Sequence, residues 1–295
     1  MKIAYLVFTY KNPQLLKREI QLLSSDNSAF FIHIDRKSDL LEFAGIHGTN
    51  VFFVDKRIPV YWAEFSGVRA IMHLIQQALA YSAEYEYLFL LSGSEYPLRN
   101  RQYIERFLEE NKGSEFMRLI KVPAPGKPLS RVTTMRYESD KPVRRFASRA
   151  FAKIGLAQRD YRKYLGHLEP YSGRTWWALT RNACEHILRF AEYNPHVAKF
   201  FKDTFAPEEA FFHTILGNSE FRPHIRGNLV YEDWSAAGSH PAMIGEKHIT
   251  FFEAHEKVFD LYEGPSELLF ARKFSDDNLS LLSRLDRLAV RKGNG

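Results

Sequence analysis

The sequence predicts an α/β fold with a sheet covered on both faces, and three observations predict it. Short, strongly apolar runs alternate with segments whose apolar residues fall at helical spacing, the pattern of βαβ-type sheets. The apolar runs end in polar turns, not in long linkers. The chain of 295 residues is 45% hydrophobic and 15% aromatic, enough to fill the core of one large domain.

Taken in order, residues 2–10 form a first strand, too short to cross a bilayer and lacking a signal-peptide cleavage pattern. Asn12-Pro13 opens a helix carrying Leu15, Leu16, Ile20, Leu22 and Leu23, which stops at the polar run 24–28. Residues 30–34 are a second strand that finishes in Asp35, and 51–54 a third. Residues 66–81 place Val68, Ile71, Met72, Ile75 and Leu79 on one helical face. The most apolar strand, 87–91, ends in the turn 92–97. A helix over 103–111, a strand around 115–120 and a basic, proline-containing segment follow. Residues 172–180 read as a strand leading into a helix over 182–193. Residues 229–234 are a further short apolar run, 249–252 a strand, 268–274 an apolar stretch carrying Arg272 and Lys273, and an amphipathic helix begins at 280. There is no internal repeat and no linker composition, so one domain with a basic insertion is expected. In open α/β sheets ligands lie beyond the carboxyl ends of strands, and Asp35 and Glu95 occupy such positions.

Composition narrows the chemistry. A single cysteine, Cys184, rules out an intramolecular disulfide and suits a reducing compartment. No segment has the apolar length of a membrane helix, so a soluble or peripheral protein is expected. The net charge is +6, yet between Arg118 and Lys163 there are 13 Lys plus Arg against 3 Asp plus Glu, and the remainder of the chain is net acidic. That segment is either a surface for a polyanion, an anionic membrane or a phosphorylated substrate, or a solvated connection. The histidines are scattered and no cysteine cluster exists, which argues against zinc. Phosphate-binding and dinucleotide glycine motifs and the G-x-S-x-G elbow are absent. Aromatic and basic residues interleave between Arg136 and Tyr164, but no nucleic-acid motif accompanies them, and no nucleic acid is expected as a partner.

The stretch Phe-Ala-Pro-Glu-Glu-Ala-Phe-Phe-His-Thr-Ile-Leu (205–216) carries the sharpest chemical signal. Pro207 suits a first helical position, which would put Glu208 and Glu209 in the first turn. Free N–H groups and the helix dipole stabilise a carboxylate there, making Glu209 a candidate general base or, more simply, a capping residue.

Seven blocks occur in order: Phe-Ile-His-Ile-Asp-Arg-Lys-Ser (31–38), Val60-Tyr-Trp with Ser66-x-Val68-x-Ala70, Leu-Leu-Ser-Gly-Ser-Glu-Tyr-Pro-Leu (90–98), Ser-Gly-Arg-Thr-Trp-Trp-Ala-Leu-Thr-Arg (172–181), Ala-Pro-Glu-Glu (206–209), Gly-Ser-His-Pro (238–241) and Phe-Ala-Arg-Lys-Phe (270–274). Together they resemble the core-2/I-branching glycosyltransferases, a family that also embraces peptide O-xylosyltransferases and related glucuronosyltransferases. The resemblance implies a GT-A type fold of mixed, mostly parallel sheet in a single domain over 1–295. It divides the chain into a nucleotide-binding half (1–117), a basic insertion (118–165) and an acceptor and catalytic half (166–295).

It further implies an inverting, metal-independent transfer of a sugar, GlcNAc foremost and xylose or glucuronic acid as alternatives, from a UDP-sugar to a glycan hydroxyl. The second acid of the family's Pro-Asp-Glu motif is the base and falls on Glu209, with Glu208 in place of the aspartate. The chain contains no Asp-x-Asp, the motif with which metal-dependent GT-A enzymes hold a divalent ion. No metal or other cofactor is therefore expected, and cations must neutralise the leaving UDP: Lys273, Lys247 and the neighbouring Arg272. Asp35 matches a nucleotide-contacting aspartate or caps its turn. Glu95, Lys127, Arg131, Trp177 and Trp234 are acceptor-side candidates, the tryptophans serving as sugar platforms or as core. The anchor, stem and disulfide cysteines of Golgi relatives are not in the sequence. A cytoplasmic, bacterial-type enzyme is expected, peripheral at the inner membrane face, assembling surface polysaccharide on a glycan or lipid-linked glycan. The alternative from another class is a non-catalytic binder of anionic glycan or nucleic acid through 118–163.

Overall fold

The computed structural model describes residues 1–136, 143, 146, 147, 150, 151, 154, 157–236, 238, 240–260 and 264–293. Much of the basic insertion, with Arg144 and Arg145, and Ser239 of the 238–241 block lie outside the described residues. In chain order the strands are β1 (Lys2–Thr9), β2 (Ser28–Ile34), β3 (Val51–Phe53), β4 (Tyr85–Leu91), β5 (Glu95–Pro97), β6 (Glu115–Phe116), β7 (Ile120–Lys121), β8 (Tyr171–Ser172), β9 (Ala178–Thr180), β10 (Ile225–Arg226), β11 (Val230–Glu232), β12 (Lys257–Asp260), β13 (Gly264–Glu267) and β14 (Phe270–Arg272).

The central sheet is mixed and mostly parallel, ordered β10-β6-β9-β4-β1-β2-β3. β1 lies parallel to both β2 and β4, and β3 extends the parallel half. β9 runs antiparallel to β4 and β6. β2 is buried along its whole length, as a strand covered on both faces must be. Helix Ser66–Tyr81 packs Val68, Ile71 and Ile75 on it, and Tyr5 stacks on Phe30 at 5.1 Å within it.

A second sheet, β11-β14-β5, carries its own core. Tyr96, Leu98, Ala271 and Phe274 meet Ile249 and Phe252 of helix Glu246–Ala254 and Leu282 and Leu285 of helix Leu279–Gly293. The strand expected over 249–252 is thus part of a helix. His248, Ile249 and Phe252 are buried there, whereas Thr250 and Glu253 are exposed, which is helical spacing that a four-residue apolar run does not reveal. Residues 115–120 and 172–180 each break into two short strands, and β5 occupies part of the expected turn 92–97. Among the described residues no helix is long and apolar enough to cross a membrane.

Residues 205–216 also differ from expectation. Pro207–Glu209 is a separate 3-10 turn entered through Ala206 at φ 49°, and Ala210 (φ −134°) separates it from helix Phe211–Gly217. Pro207 does start a helical turn, but the two glutamates do not belong to the apolar helix behind them. Their environment comes from side chains.

Candidate active site

A cavity of about 610 Å³ opens beyond the carboxyl ends of β1, β2 and β4, where Lys11, Asp35, Ser92 and Ser94 line it. It is also lined by Arg131, Arg174, Trp176, Glu208, Glu209, Glu232, Trp234, Arg272 and Lys273. The switch from strand to loop at each carboxyl end is what places these polar groups at the rim.

Glu209 sits among cations. Lys127 Nζ donates to its Oε2 at 2.7 Å and Arg131 Nη1 to the same oxygen at 2.9 Å. Oε1 has neither a protein partner among the described residues nor the burial that would make this costly, so one carboxylate oxygen remains open. The backbone is fixed as well, since the Glu209 carbonyl accepts from Gly173 N and Ser172 Oγ, both at 2.8 Å. Burial lowers the Lys127 ammonium from its ordinary pKa, against the pull of Glu209. Beneath this pair His213 is fully buried and pushed down to about 3 by burial, so it is neutral and adds no third cation. Glu208 behaves differently from its neighbour. Its Oε2 is buried without a partner, and burial pushes the carboxyl up to about 8, the charge of Glu209 adding to the effect.

At the same cavity a second, buried carboxylate gathers three groups. Glu232 accepts from Arg272 Nη1 at 2.9 Å and Trp234 Nε1 at 3.0 Å, and pairs with Arg174 Nε at 3.0 Å. Arg272 also pairs with Glu95 at 2.8 Å, and its guanidinium lies 4.5 Å from the centre of the Trp176 ring. The register of the second sheet accounts for this, because Glu232, Arg272 and Glu95 are direct cross-strand partners on β11, β14 and β5. Asp35 is held in its turn by Lys37, whose N and Nζ donate at 2.9 and 2.6 Å.

The sequence profile of the Core-2/I-Branching enzyme family matches residues 3–256. The chain belongs to that family. Among curated relatives, xylosyltransferase 2 of Rattus norvegicus is 25% identical over 252 residues, covering 80% of this chain and 27% of its own length. A human β-1,3-galactosyl-O-glycosyl-glycoprotein β-1,6-N-acetylglucosaminyltransferase is 24% identical over 234 residues, covering 77% of this chain and 50% of its own length. The chain therefore spans about a quarter to half of the relatives it matches.

Within this core-2/I-branching chain the residues singled out by sequence fall into two groups. Asp35, Arg131, Glu209, Trp234, Arg272 and Lys273 line the cavity. Lys127 stands against Glu209, and Glu95, wholly buried, stands behind Arg272. Lys247 is off the cavity, its side chain 72% exposed and paired with Asp233 at 3.2 Å. Asp233 is held well below the usual carboxylate range, chiefly by hydrogen bonds from Ser235 and then from His248. Trp177 offers no face to a sugar. It has no exposure and packs on Phe212 in the core, while Trp176 lines the cavity in its place, since successive side chains entering a strand point to opposite faces. Glu232, Arg174 and Lys11 were not found by sequence. Glu232 lies inside the predicted run 229–234, and Lys11 just past the first strand, so the carboxyl-end rule that singled out Asp35 applies equally to Lys11.

Proposed function

We propose that this protein is an inverting glycosyltransferase that moves a sugar from a UDP-sugar to a glycan hydroxyl without a metal ion, with Glu209 as general base. The observation that carries this is the convergence of Asp35, Arg174, Glu209 and Lys273, drawn from four separate family blocks, on one cavity that Trp234 also lines. In an inverting displacement one base takes the acceptor proton as oxygen attacks the anomeric carbon, a contribution of about 10² to 10⁴ in rate. The open Oε1 of Glu209 is suited to accept that proton, while Lys127 and Arg131 hold the other oxygen and orient the group. Lysine in place of a metal would stabilise the charge that develops on the departing UDP. Trp234, about half exposed with its indole N–H on Glu232, has an apolar face for an acceptor sugar. GlcNAc is the donor sugar we favour, and a lipid-linked glycan at an anionic membrane face the acceptor, reached through the basic insertion.

Turnover with a panel of UDP-sugars and glycan acceptors, measured with and without excess EDTA, tests this reading. UDP release that survives chelation is the expected result. Activity abolished by EDTA and restored by a divalent ion would overturn the metal-free mechanism, and no release with any donor would overturn the transferase itself.

A further inference from the structure

Helix Glu246–Ala254 grips the backbone that presents Glu232 and Trp234 to the cavity, and it does so through alternate side chains. Tyr231 packs on His248, Phe251 and Phe252 with ring centres 6.2, 5.6 and 5.1 Å apart, and the Asp233 carboxylate meets His248 Nε2 at 2.8 Å. Glu232 and Trp234, which alternate with them, line the cavity. This is the period of extended chain, one side held by the helix and the other turned to the cavity. His248 is the joint between the two. Its ring is 4% exposed, and its Nδ1 accepts from Gly245 N at 2.9 Å. A backbone N–H can only donate, so the ring proton sits on Nε2 and is donated to Asp233. Gly245 is the N-cap of the helix and has no side chain to cap it, so His248, at the third helical position, reaches back to its N–H instead. Asp233 is engaged on all sides, since Oδ1 accepts from Ser235 N at 2.8 Å, Oδ2 also from the exposed Lys247 at 3.2 Å, and the carbonyl from Ala242 N at 2.8 Å. Trp234 is about half exposed, and its one polar side-chain atom is bonded to Glu232 at 3.0 Å. The turn on which it stands is fixed chiefly through Asp233.

We propose that His248 is a positioning residue for acceptor binding: through Asp233 it fixes the turn that aims Trp234 into the cavity, without touching substrate itself. This rests on the reading of Trp234 as the acceptor platform of a glycosyltransferase. A platform free to turn must be ordered by each sugar that binds, and fixing it beforehand removes that cost from acceptor affinity. The two ring nitrogens serve different parts of the site. Nε2 holds the Trp234 turn, whereas Nδ1 holds the end of segment 242–245, where Ile244 N donates to the Lys273 carbonyl at 2.8 Å. A substitution that spares one nitrogen's bond and removes the other's therefore separates the acceptor side from the Lys273 side.

The test is fluorine NMR of the full chain labelled with fluorotryptophan, with Trp234→Phe assigning the Trp234 signal and the wholly buried Trp177 reporting on folding. His248→Asn keeps an acceptor where Nδ1 stands and loses the donor to Asp233, and His248→Gln keeps the donor and loses the acceptor. In His248→Asn the Trp234 signal should move toward that of a freely turning, solvated ring while Trp177 stays in place, and in His248→Gln Trp234 should remain at the wild-type position. An unmoved Trp234 signal in His248→Asn, or equal displacement in both variants, would overturn the proposal. Should a displaced Trp177 show that His248→Asn does not fold, Asp233→Ala breaks the same bond from the other side and is read in the same way. In transfer assays with the UDP-sugars and glycan acceptors above, His248→Asn should raise the acceptor KM by about tenfold and leave kcat and UDP affinity within about twofold of wild type. Losses of UDP affinity as large as the change in acceptor KM would assign His248 a merely structural role. Displacement of Trp234 by His248→Asn in a protein whose wild type transfers no sugar would uphold the tie and overturn the transferase reading instead.

Discussion

Two adjacent glutamates at the cavity have opposite surroundings, and their substitutions should separate accordingly. Glu209 lies between Lys127 and Arg131 with one oxygen open, whereas Glu208 is driven toward its neutral form by burial. Glu209→Gln keeps the shape but cannot take a proton, so turnover should fall by about 10² or more with UDP affinity near wild type. Glu208→Gln should cost much less, as an amide resembles a protonated acid. If Glu208→Gln were the more damaging, the base would have been placed one residue too late. Stability gives an independent readout. Because the folded protein holds the Glu208 proton up to a pKa of about 8 and the unfolded chain releases it in the ordinary glutamate range, stability should decline as pH rises through that window. Thermal melts at pH 5 and pH 8 should show a smaller decline for Glu208→Gln than for wild type.

The elements that support Glu209 are closely fitted at one glycine. A Cβ on Gly173 would lie 1.8 Å from the Arg118 carbonyl and 2.5 Å from His213 Nε2, and Gly173 N donates to the Glu209 carbonyl. Neither neighbour can yield, since one is backbone and the other a fully buried ring. Gly173→Ala should therefore cost about 1 to 3 kcal/mol of stability in a denaturant titration and, if Glu209 is the base as proposed, lower turnover by displacing it. An alanine variant as stable and active as wild type would mean that the loop between β8 and β9 shifts freely. This constraint was not legible in the sequence, where a Ser-Gly-Arg run reads as an ordinary turn. The parallel strands and the helices Pro13–Leu23 and Ser66–Tyr81 were legible, because burial on one or both faces writes a long periodic signal. Residues 249–252 misled because four apolar residues fit either period. Asp35 and Glu209 were legible through position and motif, but Glu232 was not. Its importance comes from cross-strand register with Arg272, forty residues away, and no local pattern encodes that.

At the scale of the molecule, the concentrated positive charge of the insertion is partly internal wiring. Arg118 pairs with Asp260 at 3.1 Å, Lys121 with Glu169 at 3.4 Å, and Lys127 and Arg131 with Glu209. Arg159 donates to the Val132 and Phe200 carbonyls. Any attraction to an anionic membrane thus falls to the other basic residues, at about 1 kcal/mol each near the surface. Flotation with anionic vesicles should show binding that weakens with salt and in the double variant Arg144→Glu/Arg145→Glu, with UDP affinity untouched. Wild type that ignores anionic vesicles at low salt would assign the insertion to intramolecular contacts.

The position of β14 between β5 and β11 also bears on how the protein is made. Strands β1 to β4 are complete once residue 91 has left the ribosome, but Arg272 and Lys273 emerge some 180 residues later and must insert between two strands already synthesised. Such long-range pairing is slow compared with local structure. A nascent chain halted before residue 270 should bury much of the central sheet yet retain no nucleotide, so acquisition of UDP binding would mark the last stage of folding rather than the first.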